Sequence, residues 1–92
     1  MRQDICDRTF KFATRIVRFC KSLVKEGANY RVLSNQLLRS ATSIGANMEE
    51  AVAGQSKADF VSKCSIVLKE ARETKYWLRL LIETNLLPDK TI

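Results

Sequence analysis

The sequence predicts an all-α protein, an antiparallel up-down bundle of three long helices. Three observations carry that expectation. Apolar residues recur at the helical period through three long stretches. Only three Gly and one Pro occur in 92 residues, too few turn formers for a multi-strand β fold. No strand alternation and no internal repeat is present. A hydrophobic content of 46% argues against disorder. The length suits one domain, residues 1–92, with helices at about 4–26, 34–53 and 57–84.

The first helix divides cleanly on a wheel drawn at 100° per residue. Ile5, Cys6, Phe10, Phe12, Ala13, Ile16, Val17, Phe19, Cys20, Leu23 and Val24 fill one half. Asp4, Asp7, Arg8, Lys11, Arg15, Arg18, Lys21 and Lys25 fill the other. Asp4 and Asp7 near the start and Lys25 near the end suit the helix dipole. Gly27 is a natural stop. An apolar half-circle is wider than one partner needs, so this helix must meet at least two others.

Residues 27–33 read as the longest connection, with Ser34 or a residue just before it opening the second helix. Leu37, Leu38, Ala41, Ile44, Met48, Ala51 and Val52 line its apolar face. Gly45 interrupts the interior at a cost in helix propensity, which points to the close approach of another helix. Gly54-Gln55 breaks the chain, and Ser56-Lys57-Ala58-Asp59 has the form of a capping box.

In the third helix, Phe60, Cys64, Val67, Ala71, Thr74, Leu78 and Leu81 repeat at 4-3 spacing, a bundle seam. Lys69/Glu73 and Arg79/Glu83 are spaced for i,i+4 ion pairs. Ile66, Trp77 and Leu80 form a weaker stripe away from the seam, with Tyr76 at its edge. That stripe fits either a subunit contact or packing against the chain's own C-terminal residues. Pro88 follows Leu86-Leu87, with too few residues after it for another helix.

Charge and residue chemistry narrow the function. The net charge is +6, and all of it lies in residues 1–40; residues 41–92 balance. Such asymmetry points to a polyanionic partner. There is no His, so the commonest general base and metal ligand is missing. Cys6 and Cys20 are about 21 Å apart along one helix, too far to bridge. With Cys64 they form no CxxC pair, so no metal and no cofactor is expected. Buried, reduced thiols and the lack of a signal-like apolar core suit a cytoplasmic protein. No stretch approaches the roughly 18 apolar residues of a membrane span.

The basic face of helix 1 is the sharpest functional signal. Arg8, Lys11, Arg15, Arg18, Lys21 and Lys25 run along about 26 Å. Such a strip can bind RNA or DNA through the phosphates, or can be a solvated face. Phe10, Phe12 and Phe19 fall on the apolar side, so base stacking is not expected. A membrane surface would need the apolar half that the core needs, so no membrane partner is expected. Gln36, Arg39, Ser43, Asn47 and Glu50 form a polar row on helix 2. It suits a hydrogen-bonded subunit contact or a solvated face. Ser43 has no His or Lys one turn away to activate it, so no enzyme activity is expected.

The run from Gln36 to Ala51, QLLRSATSIGANMEEA, resembles the signature of the four-helix-bundle proteins of ribosomal-RNA intervening sequences. Two further stretches agree: Arg8-Thr9-Phe10 through Arg15-Ile16-Val17, and Ser56 to Phe60 continuing to Lys69–Thr74 and Tyr76-Trp77-Leu78. The resemblance covers nearly the whole chain. It implies an up-down bundle assembling into a ring-shaped homopentamer with a basic surface and no known enzyme activity. The accessory proteins of diversity-generating retroelements are similar, which implies nucleic-acid binding or an adaptor role toward a reverse transcriptase. Gln36, Arg39, Ser43, Asn47 and Glu50 match the motif, without a catalytic role attached to any of them. Members of that family continue past the Leu-Pro near Pro88 into a fourth helix. The expectation here is three helices, the fourth missing or truncated.

Overall fold

The computed structural model describes residues 2–84, and it is all helical: α1 spans Arg2–Leu23, α2 Ala28–Ala53 and α3 Lys57–Glu83. The predicted ends at Leu86-Leu87 and Pro88 lie outside the described residues. The last turn after α1 tightens into a 3-10 helix, Val24–Glu26.

The connection between α1 and α2 is far shorter than the sequence suggests. α2 begins at Ala28, six residues before Ser34, and residues 28–33 are helix. Gly27 alone reverses the chain, at φ +141°, a conformation that side chains rarely adopt. The apolar period explains the early start. Tyr30 and Leu33 continue the face of Leu37 and pack on the core. Ser34 looks like a cap by residue type, but it sits inside the helix and faces α1. The opening of α3 follows expectation: Ser56 Oγ accepts from the Asp59 amide at 3.1 Å.

Pairings between the helices establish the antiparallel order. The Cys6 thiol donates weakly to the Met48 carbonyl at 4.0 Å, and the Cys20 thiol to the Ser34 carbonyl at 3.5 Å. Between α2 and α3, Thr74 Oγ1 lies 2.9 Å from Ser40 Oγ, and Lys63 Nζ lies 2.8 Å from a Glu50 oxygen. In both pairs one number rises as the other falls. α2 is therefore the central element, with α1 and α3 on its two sides. The core is densest where Ile16, Cys20 and Leu23 of α1 meet Leu37 and Ala41 of α2 and Leu81 of α3. At the opposite end the Arg2 guanidinium stands 4.6 Å from the centre of the Phe60 ring.

The predicted seam of α3 is only partly covered. Thr74 and Leu81 are buried, Phe60, Cys64, Val67 and Leu78 half-buried, and Ala71 exposed. The line that meets α2 runs through Glu70, Thr74 and Leu81, turned from the seam's centre. A seam points to the axis of a bundle, and one neighbour covers only one side of it. The other side opens on a groove of about 390 Å³ between α1 and α3, lined by Phe12, Ile44, Ala71, Leu78 and Ile82.

Candidate nucleic-acid interface

The polar half of α1 has no helix packed on it, because Cys6, Ile16, Cys20 and Leu23 turn the other half onto the core. Arg8, Lys11, Arg15, Arg18, Lys21 and Lys25 are all exposed. Among the described residues none of the six joins an ion pair. The carboxylate of Asp7, at the edge of this strip, accepts from Gln3 Nε2 at 3.1 Å. Five of these cations lie on one exposed side of α1, and Lys25, which the sequence places in the same helix, follows them in the 3-10 turn outside α1; the set can follow a chain of phosphates, with no group that selects a base.

One aromatic ring departs from expectation. Phe12 and Phe19 pack against the core, but Phe10 is 68% exposed. α1 closes on α2 along the line of Cys6, Thr9, Ile16 and Cys20. Phe10 lies about 90° from the middle of that line, on the flank away from the groove. Val17, two turns on, is exposed on the same flank. Both were expected to be covered, because a half-circle of apolar residues suggests neighbours on two sides. In this structure α2 covers the centre, and the groove side holds Phe12.

Four of the five residues of the polar row on α2 make contacts within the chain. Arg39 reaches across to α3, with Nη1 3.5 Å from Glu70 Oε2 and Nη2 bonded to Glu73. The bond to Glu73 raises the Arg39 pKa above its ordinary value, against the opposing effect of burial. Asn47 Nδ2 donates to Ser43, 2.9 Å from both its hydroxyl and its carbonyl oxygen. Glu50 pairs with Lys63, and Gln36 is exposed. Glu73 therefore serves α2, in place of the i,i+4 pair with Lys69 that its spacing suggests. A cross-helix guanidinium offers two N–H donors where an exposed lysine offers a weak, screened contact.

Glu70, a charged residue outside the predicted seam, is only 5% exposed. Arg39 opposite it is the one signal in the sequence, and its register is set by packing. The weaker stripe of α3 is half-buried at Ile66, Trp77 and Leu80. Trp77 packs on the chain's own core and meets Tyr76 edge-on, with centroids 5.1 Å apart. Its Nε1 is buried without a hydrogen-bond partner among the described residues.

The three thiols are free. Burial, and then the charges of Glu49 and Asp7, push the Cys6 thiol up; burial also pushes Cys20 up. No described helix is long and apolar enough to cross a membrane.

Comparison with known proteins agrees with the resemblance to the ribosomal-RNA intervening-sequence proteins. The family model described as 23S rRNA-intervening sequence protein matches residues 1–92. A crystal structure from Bacteroides thetaiotaomicron, of a protein of unknown function from the S23 ribosomal protein family, superposes with a TM-score of 0.89. It is 47% identical, over 99% of this chain and 81% of that one. A search of the curated proteins finds no match.

Proposed function

The chain belongs to the 23S rRNA-intervening sequence protein family, and from that premise we propose a non-enzymatic, self-associating protein that binds the backbone of RNA or DNA through the basic face of α1. One observation carries the reading: Arg8, Lys11, Arg15, Arg18, Lys21 and Lys25 are exposed together, and none of them is neutralised by an ion pair among the described residues. The phosphates of a nucleic acid hold condensed metal cations, and unpaired Lys and Arg side chains that take their place release them with a gain in entropy. Affinity then falls steeply with salt, by a logarithmic slope of about 0.7 to 0.9 per phosphate contacted.

The test is binding of a mixed-sequence RNA across a salt series, wild type against Arg15→Glu/Arg18→Glu. The wild type is expected to bind with a steep slope, and the variant to bind more weakly with a shallower one. Equal affinities, or no slope, would sink the reading.

The open groove between α1 and α3 favours a second reading. Together with exposed Val61, Leu68 and Tyr76 on α3, it suits an assembly or adaptor protein whose partner is a protein, such as a reverse transcriptase. Co-purification from the native host with and without nuclease separates the two. A protein partner retained after nuclease, with no nucleic acid bound by the pure chain, supports the adaptor.

A further inference from the structure

We infer that the nucleic acid this surface takes is single-stranded, with Phe10 as the platform on which an unpaired base stacks; this rests on the backbone-binding reading above. α1 carries three phenylalanine rings, and the fold treats them differently. Phe12 and Phe19 pack against the core, while Phe10 is 68% exposed, more than any other large apolar side chain described. No aromatic or cationic partner covers it among the described residues.

Its position supplies the chemistry. Phe10 stands at the margin of the basic strip, next in sequence to Lys11, roughly 80° around the helix and 12 Å along it from Arg18. A phenyl ring has no polar atom with which to meet a phosphate or a sugar hydroxyl. What it offers is a π-face, and every nucleobase has one. In a duplex each base face is already covered by its neighbours, so the ring would find only backbone and groove edges. In a single strand the bases are free to turn out, and a phosphate chain running along the cations brings them past the ring. The cations alone grip both forms; the ring distinguishes them. Val17, exposed on the same flank two turns on, extends the apolar margin along which a base can lie.

The experiment measures anisotropy of a labelled oligouridine, and of the duplex it forms with oligoadenine, at one salt concentration. The chains are wild type, Phe10→Ala, Phe10→Tyr and Arg15→Glu/Arg18→Glu. Phe10→Ala removes an exposed ring and adds a good helix former, so the fold is retained; circular dichroism checks this. Its expected effect is a loss of about tenfold on oligouridine with the duplex unchanged, since stacking on one ring typically contributes that much. Phe10→Tyr keeps wild-type affinity. Charge reversal weakens both ligands.

If Phe10→Ala binds oligouridine like wild type, or loses both ligands equally, stacking is overturned while backbone binding stands. A wild type that binds neither ligand overturns backbone binding, and stacking with it. Native mass spectrometry supplies the remaining outcome. A changed subunit count in Phe10→Ala, with oligouridine binding intact, assigns the ring to contact between copies and overturns the proposal.

Discussion

The backbone carbonyl oxygen of Thr9 stands 3.4 Å from the place a Cβ on Gly45 would occupy. α1 and α2 therefore approach closely at this crossing, as an interior glycine suggests. The space is nevertheless enough for a methyl group in ordinary contact. Gly45→Ala is expected to stabilise the protein by about 0.5–1 kcal/mol, the helix-propensity gain. Gly45→Leu pushes α1 off and costs about 1–3 kcal/mol. Thermal melts of the two variants check the opposite signs.

Ser34 is 1% exposed and its hydroxyl has no hydrogen-bond partner among the described residues. Its carbonyl, which accepts from the Cys20 thiol, belongs to the backbone and survives substitution. Ser34→Ala is expected to stabilise by about 1 kcal/mol, because it removes a desolvated hydroxyl and loses no hydrogen bond. In a domain of this size that is a rise in melting temperature of about 4–8 °C. A fall in melting temperature would show that the hydroxyl is satisfied.

Arg39 faces Glu70 and Glu73 from the other helix. Half of the Arg39 side chain is in water, so the pairs contribute modestly; removing it still leaves Glu70 buried beside no cation. Arg39→Ala is expected to cost about 1–2 kcal/mol. Adding Glu70→Gln should recover much of that loss. A double-mutant cycle in urea measures the coupling, and additivity would show that the two side chains do not interact.

Cys6 and Cys20 have thiol pKa values raised by burial. The folded state holds these protons more tightly than the unfolded chain. Their contribution to stability is complete below the unfolded thiol pKa and is lost as pH climbs through the folded values. The melting temperature should therefore fall as pH rises into and above the ordinary thiol range, from about pH 8 upward. Cys6→Ala/Cys20→Ala melts lower at neutral pH but should fall less over that interval. Equal falls would exclude the thiols as the cause.

Local pattern made much of this legible. α1 alternates charge and hydrocarbon at the period of its own backbone, so helix and basic face are both visible in the residues. The Ser56 cap and the break at Gly54 need only near neighbours. Ser34 misled because a serine beside polar residues resembles a cap. What decides its place is Tyr30 and Leu33, which find a core to join only after α1 has folded back.

The sequence alone determined the three helical periods, the boundary between α2 and α3, and the cations on one side of α1. All of these follow from spacing along a single helix. The tertiary structure decided which parts of each apolar face are covered. It left Phe10 in solvent while Phe12 packs inward, buried Glu70 under Arg39, and left Ala71 and Leu78 of the α3 seam lining an open groove. Periodicity tells a helix which way is in. Only the position of its neighbours sets how far around the helix that inside extends.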